Sequence, residues 1–206
     1  MAVVPGFRSE WHQFVYDTVE LAAGSTTPNP IQFFVNALGQ GTSPVAGSGG
    51  KQVQDTNLTE PQKLPNTAPD MWVYGLRFIT NGATTPNDLN RLMRNYVLTL
   101  LVNNSVYLQG PIELFPAGGG PFAMGAMSTA QLAMTTTTFG MINGFPACTA
   151  ALLLSKPIGI GQGETFRVEL NGTPFAVDAA GTTILGNKLF MRVVLEGQEG
   201  VAANQR

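Results

Sequence analysis

The sequence predicts an all-β fold, a jelly-roll-like antiparallel β-sandwich with one short α-helix and long loops. Three observations carry this. Several stretches of seven to ten residues alternate apolar and polar side chains at the period of a strand. Turn-forming residues separate them. Only one segment carries both a helical stripe and a helix start. An immunoglobulin-like sandwich ranks second, but the lone Cys148 cannot supply the cysteine pair of a true immunoglobulin domain.

Along the chain, Trp11 to Leu21 reads as a long first strand and Ile31 to Leu38 as a second. Met71 to Thr80 is strand-like, with Trp72, Tyr74, Leu76 and Phe78 predicted on one face. Thr85-Pro86-Asn87-Asp88 supplies an N-cap, a proline at the first helical position and a carboxylate three residues after the cap. Leu89, Leu92, Met93 and Tyr96 then form a single apolar stripe, leaving Arg91 and Arg94 on the wet side. The helix is expected to give way near Tyr96 to a strand continuing to Val102, apolar enough to be buried on both faces. Asn103-Asn104 is a turn into Ser105 to Gln109. Gln131 to Phe139 is predicted to be extended, and Ala150 to Ile160 to form one or two short strands broken at Pro157.

Glu164 to Leu170 alternates strictly, with Phe166, Val168 and Leu170 on one side. Asn171-Gly172 predicts a tight hairpin turn after it, with Thr173 to Val177 returning as partner. Lys188 to Glu196 closes the pattern, with Leu189, Met191, Val193 and Leu195 on one face. The whole chain, 1–206, is expected to be one domain. A long loop or arm occupies about 39–70, a Gly-rich loop spans Pro116 to Ser128, and a tail without apolar periodicity covers about 197–206.

Composition excludes several functions. The chain has 11 Lys plus Arg and 13 Asp plus Glu among 206 residues, a net charge of -2. No basic excess exists to neutralise phosphates, so no nucleic-acid partner is expected. No apolar run approaches the roughly 20 residues of a membrane helix, so no membrane insertion is expected. No secretion signal is recognisable, which makes chance the better explanation of the triplets at Asn57, Asn103 and Asn171. The mature chain is expected to be soluble and to begin near Met1.

Reaction chemistry is thinly supplied. His12 is the sole histidine and has no identifiable link to Cys148, so a nucleophile–histidine site is disfavoured. Two such residues cannot furnish a zinc site. Asp17 and Glu20, like Glu164 and Glu169, differ by an odd number and face opposite sides of a strand. Exposed strand charges explain them better than a catalytic pair does. Gly159-Ile160-Gly161-Gln162-Gly163 is followed by a strand pattern rather than a helix, which makes it a loop and not a dinucleotide site. No catalytic residue, metal ligand or cofactor is assigned.

Three segments together carry a family likeness. One holds Gly110-Pro111-Ile112-Glu113-Leu114-Phe115-Pro116 and the run Gly118-Gly119-Gly120. The second runs from Lys156-Pro157-Ile158 through Phe166-Arg167-Val168-Glu169-Leu170. The third is the final strand ending Leu195-Glu196-Gly197. Over about half the chain they resemble β-sandwich structural proteins of bacteriophage particles. The resemblance implies a capsid-associated jelly roll in the virion, either a shell subunit or a decoration (cement) protein. Its expected partners are itself, as a trimer or dimer, and the major capsid protein or neighbouring shell subunits. Low charge with abundant Gly, Thr and Asn suits such contacts, and the loop and tail would be the arms that make them. Candidate interface residues are Trp11, Phe33, Phe34, Trp72, Gly118, Gly119, Gly120 and Phe122. The alternatives are a carbohydrate- or receptor-binding virion module and, less favoured, a glycoside hydrolase with paired carboxylates.

Overall fold

The computed structural model describes residues 7–43, 49–65, 70–81, 84–118, 122–125, 139–142, 152–178 and 188–202. Ten strands and one α-helix appear among them: β1 (Phe7–Ala22), β2 (Ile31–Phe33), β3 (Met71–Thr80), α1 (Pro86–Asn95), β4 (Tyr96–Val102), β5 (Ser105–Pro111), β6 (Phe122–Gly125), β7 (Phe139–Ile142), β8 (Leu152–Ile160), β9 (Phe166–Gly172) and β10 (Lys188–Ala202). Two four-stranded sheets carry the orders β1-β10-β3-β8 and β2-β9-β4-β5, and β6 pairs with β7.

The pairing is nested. The first strand pairs antiparallel with the last (β1 with β10), and β2 pairs with β9, β3 with β8 and β4 with β5. Cross-pairs β10–β3 and β9–β4 complete the two sheets. This is the jelly-roll arrangement the sequence predicts. The β6–β7 hairpin is an insertion between β5 and β8.

The two inner faces meet in one core. Val15, Leu76, Phe78, Leu189, Met191, Val193 and Leu195 come from the first sheet. Ile31, Phe33, Leu98, Leu100, Phe166, Val168 and Leu170 come from the second. The predicted alternation of β9 and β10 is what buries these sets. Thr85 caps α1 by accepting from the Asp88 N–H at 3.0 Å, and Pro86 opens the helix, as its sequence predicts. Leu89 and Leu92 are buried. Asn103 and Asn104 both take positive φ, 49° and 64°, which makes them the twisted two-residue turn between β4 and β5.

Several expectations are corrected. The second strand stops at Phe33, because Phe34 adopts φ 68° and directs its N–H to the Asp17 carboxylate at 2.7 Å. In β3 the pairing shifts at Tyr74: Glu196 lies opposite Gly75 while Gly197 lies opposite Val73. That bulge reverses the face midway. Leu76 and Phe78 are buried, but Trp72 and Tyr74 are exposed. β8 is a single strand on a sheet edge, with its pairing interrupted between Leu153 and Ile158, so Pro157 is accommodated rather than terminating it.

Asn171-Gly172 makes no hairpin. Both residues continue β9 opposite Val97 and Tyr96. A Cβ on Gly172 would collide with the Asn95 carbonyl at the end of α1, so close approach and not a turn requires glycine there. Within the segment expected to be a Gly-rich loop, Phe122–Gly125 is strand. The expected tail is also partly strand, since β10 runs on to Ala202. Of the predicted extended stretch Gln131 to Phe139, only Phe139 is described, as the start of β7, and 131–138 lie outside the described residues.

Candidate interaction surface and cleft

The outer surface of the β1-β10-β3-β8 sheet is built by simple alternation. On β1 the odd residues Val15, Val19 and Leu21 pack inward, which turns His12, Phe14, Tyr16, Thr18 and Glu20 outward. On β10 the inward run Leu189 to Leu195 turns Phe190, Arg192, Val194 and Glu196 outward. The β3 bulge adds Trp72 and Tyr74 to this surface, and β8 adds Leu153. Trp72 is 42% and Leu153 67% exposed, and Phe14 and Tyr74 are also open to solvent. His12 and Phe14 stack with centroids 4.6 Å apart. The Arg192 guanidinium lies 5.7 Å from the Tyr16 ring and 5.5 Å from the Phe190 ring. At the middle, Arg77 pairs with Glu196 at 2.7 Å. Lys188 pairs with Glu20 at 2.6 Å on the same face and stays 42% exposed.

The segment from Lys51 to Asn57 straps the free side of β1. Thr56 bridges to Asp17, the Asn57 side chain accepts from the Tyr16 N–H at 3.1 Å and donates to the Phe14 carbonyl at 2.7 Å, and Tyr16 Oη donates to the Val53 carbonyl. Its anchor is an ion pair between Lys51 Nζ and Asp17 Oδ1 at 2.5 Å, with the Asp17 side chain 0% exposed. Burial pushes the Asp17 carboxyl above its usual range, against the opposing pull of Lys51 and the Phe34 N–H. Asp17 is therefore not an exposed strand charge. The described part of the 39–70 segment lies on the chain's own sandwich, with Leu58 and Leu64 buried.

A cleft of about 280 Å³ opens at one end of β3 and β8, lined by Asp70, Trp72, Gly159, Gly161 and Glu164 among others. The Trp72 ring lies over Gly159, where an added Cβ would meet it at 3.1 Å. Asp70 accepts from the Gln162 N–H at 2.8 Å. Glu164 accepts from the Gly161 N–H at 2.7 Å and from the Asn103 side chain at 2.8 Å. Both carboxylates thus brace the β8–β9 turn, and each retains lone pairs for a ligand hydroxyl.

A second acidic pair ties α1 to the strand-free stretch after β9. The Asp88 carboxylate accepts from the Asp178 N–H at 3.1 Å, and Asp178 in turn accepts from Thr85 at 2.7 Å and Arg91 at 3.0 Å. Burial raises the Asp88 carboxyl; the Asp178 N–H works against it. Every one of these contacts locks the helix start in place, so the pair is a clamp.

Of the predicted interface residues, Trp72 lies on the exposed face and in the cleft. Phe33 and Phe34 are 0% exposed and belong to the core, with Phe34 packed 5.2 Å from Phe166. Gly118 is buried. Trp11 lies on β1 and Phe122 on β6. Gly119, Gly120 and Cys148 lie outside the described residues. Sequence reasoning missed Phe14, Tyr74 and Leu153. The signal for Phe14 was present, since Val15, Val19 and Leu21 take the odd positions in the second half of β1 and leave Phe14 and Tyr16 on the even ones. Tyr74 depends on a bulge that no local pattern encodes. Comparison with protein-family models finds none that matches, and comparison with curated proteins finds no matching sequence.

Proposed function

We propose that the protein is a structural component of a virus particle, a shell subunit or a capsid decoration protein, acting through self-association and contacts with shell subunits. The observation that carries this reading is a jelly roll whose β1-β10-β3-β8 sheet presents Phe14, Trp72, Tyr74 and Leu153 to solvent. Jelly rolls serve in capsids, and a cluster of exposed rings on a rigid sheet is the kind of surface that assembly buries. Because a fold alone does not assign a function, the surface bears the weight. Quantifying the protein in purified particles tests the reading, together with light scattering after gel filtration in the presence of empty shells. Many copies per particle and co-elution with shells are expected. A monomer that ignores shells and is missing from particles would overturn it.

A second reading, a carbohydrate-binding module of a virion, is favoured by one observation: Trp72 shares its cleft with the carboxylates of Asp70 and Glu164. Rings paired with hydroxyl acceptors suit a sugar's apolar face and polar edge. A glycan array on the wild type and Trp72→Ala decides it, with binding lost in the variant.

A further inference from the structure

We infer that Lys51 and Asp17 form a modification site, where the lysine amine and the aspartate carboxyl condense into an intramolecular amide that fastens the strap to β1. The link forms within one chain and does not depend on the assembly reading.

The two reacting groups are in contact and out of water. Lys51 Nζ lies 2.5 Å from Asp17 Oδ1, with the Lys51 side chain 4% and the Asp17 side chain 0% exposed. Asp17 sits on the inner side of β1 between Val15 and Val19, opposite Val193. A lysine amine taken out of water is a nucleophile, and holding it against its target replaces a bimolecular encounter. Excluding water also favours a reaction that releases it.

Both partners are held from behind. The Lys51 N–H donates to the Gln40 carbonyl at 2.9 Å, and the Lys51 carbonyl accepts from the Gly39 N–H at 2.8 Å. Beside it, Gly50 comes so near the Gly39 carbonyl that a Cβ would collide. Across the pair, Phe34 takes φ 68°, a costly conformation for a residue with a side chain. There its N–H points at Asp17 Oδ2, 2.7 Å away. Oδ2 is the oxygen that carries negative charge once the amine adds, so this N–H is placed as an oxyanion donor. Burial also raises the Asp17 carboxyl, which favours the protonated acid over the unreactive carboxylate.

The step balances without a co-reactant. One proton passes from the Lys51 ammonium to Asp17 Oδ1. The free amine adds to Cγ, making the N–C bond and placing charge on Oδ2. A second Nζ proton moves to Oδ1, the Cγ–Oδ1 bond breaks, and Oδ1 leaves as water. Oδ2 becomes the amide carbonyl, and the third proton stays on nitrogen. Nothing is oxidised or reduced. The product joins residues 34 apart in sequence and removes two buried charges.

Denaturing intact-mass measurement on the full chain, after overnight incubation of the purified protein, tests the link. The wild type is expected to be lighter than its sequence by one water, and Lys51→Arg to have its full mass. The reading does not require the variant to fold. Digestion with trypsin and a glutamate-specific protease should leave fragment 11–20 joined to 21–63, because trypsin does not cut after an acylated lysine. The pair Lys63–Glu60 brings the same groups to 2.7 Å with both side chains nearly half exposed, and it should stay unlinked. A wild type at full mass overturns the link. So does a lighter chain that releases 11–20 and 21–51 separately, or a water loss that survives Lys51→Arg. None of these outcomes bears on shell binding.

Discussion

The two outer faces of the sandwich handle polarity in opposite ways. On the β2-β9-β4-β5 sheet, Gln32, Glu169, Thr99 and Gln109 lie in register across all four strands. Gln32 donates to Glu169 at 3.0 Å, Arg167 donates to the same carboxylate at 2.7 Å, and Gln109 donates to Thr99 at 3.4 Å. That face is a polar ladder whose members satisfy one another beside water. On the β1-β10-β3-β8 sheet exposed rings lie among the ion pairs Arg77–Glu196 and Lys188–Glu20, and the buried pair Lys51–Asp17 sits on the inner side beneath them. The same twelve per cent of charged residues therefore does two different jobs. One outer face is polar across all four strands, and the other sets a few ion pairs among exposed rings above a buried pair.

The sharpest way to break this contrast is Lys51→Met, which leaves Asp17 buried without its cation. A loss of about 3–5 kcal/mol in denaturant unfolding is expected, as for other buried pairs cut on one side. The loss should shrink in acid. The folded Asp17 carboxyl already sits above its usual range, and removing Lys51 raises it further, so protonation relieves the cost as pH falls. Next is Arg77→Met, which strands Glu196 on the same sheet. About 2 kcal/mol should be lost, the smaller figure reflecting the 14% exposure of Glu196.

Glu199 sharpens the comparison from the inner side of that sheet. It is buried opposite Met71, with no hydrogen bond or ion pair among the described residues, and burial raises its carboxyl. A carboxyl raised in the folded state binds its proton more tightly there than in the unfolded chain. Stability therefore falls as pH rises through the folded value. Glu199→Gln should gain about 1 kcal/mol at neutral pH and flatten that part of the stability profile.

The smallest effect belongs to the polar ladder. Burial tends to raise the Glu169 carboxyl, but Arg167, Gln32 and Asn171 outweigh it and hold it below its usual range. Its contribution is present above the unfolded value and disappears as pH falls through the folded one. Glu169→Gln should cost below about 1 kcal/mol at neutral pH and nothing in strong acid. Equal losses on the two faces would erase the distinction between them.

Much of the scaffold was legible in the residues. Strict alternation at 166–170 and 189–195 gave the inner faces, and Thr85-Pro86 gave the helix start, because these signals are local. The illegible parts depend on partners distant in sequence. Asn171-Gly172 has turn chemistry, yet its glycine answers to the Asn95 carbonyl. Asp17 bears a charge that suggests solvent, yet Lys51 from a loop comes to it. Tyr74 changes face because β10 imposes a register. The exposed surface was legible only in part: Trp72 was named, while Phe33 and Phe34 carried the same aromatic signal and proved to be core.

The union of the first strand with the last has a consequence for the order in which the molecule comes into being. β1 is made before every other described strand, but its sheet neighbour β10 is made after all of them. The same holds for β2, which waits for β9. Within the two four-stranded sheets, β4 and β5 are the pair that the described residues close through a local turn. Folding should therefore start from that hairpin and work outward. Contacts so remote in sequence make such a domain slow to fold, and the waiting β1, with its alternating aromatics, is the stretch for which a chaperone would have most use.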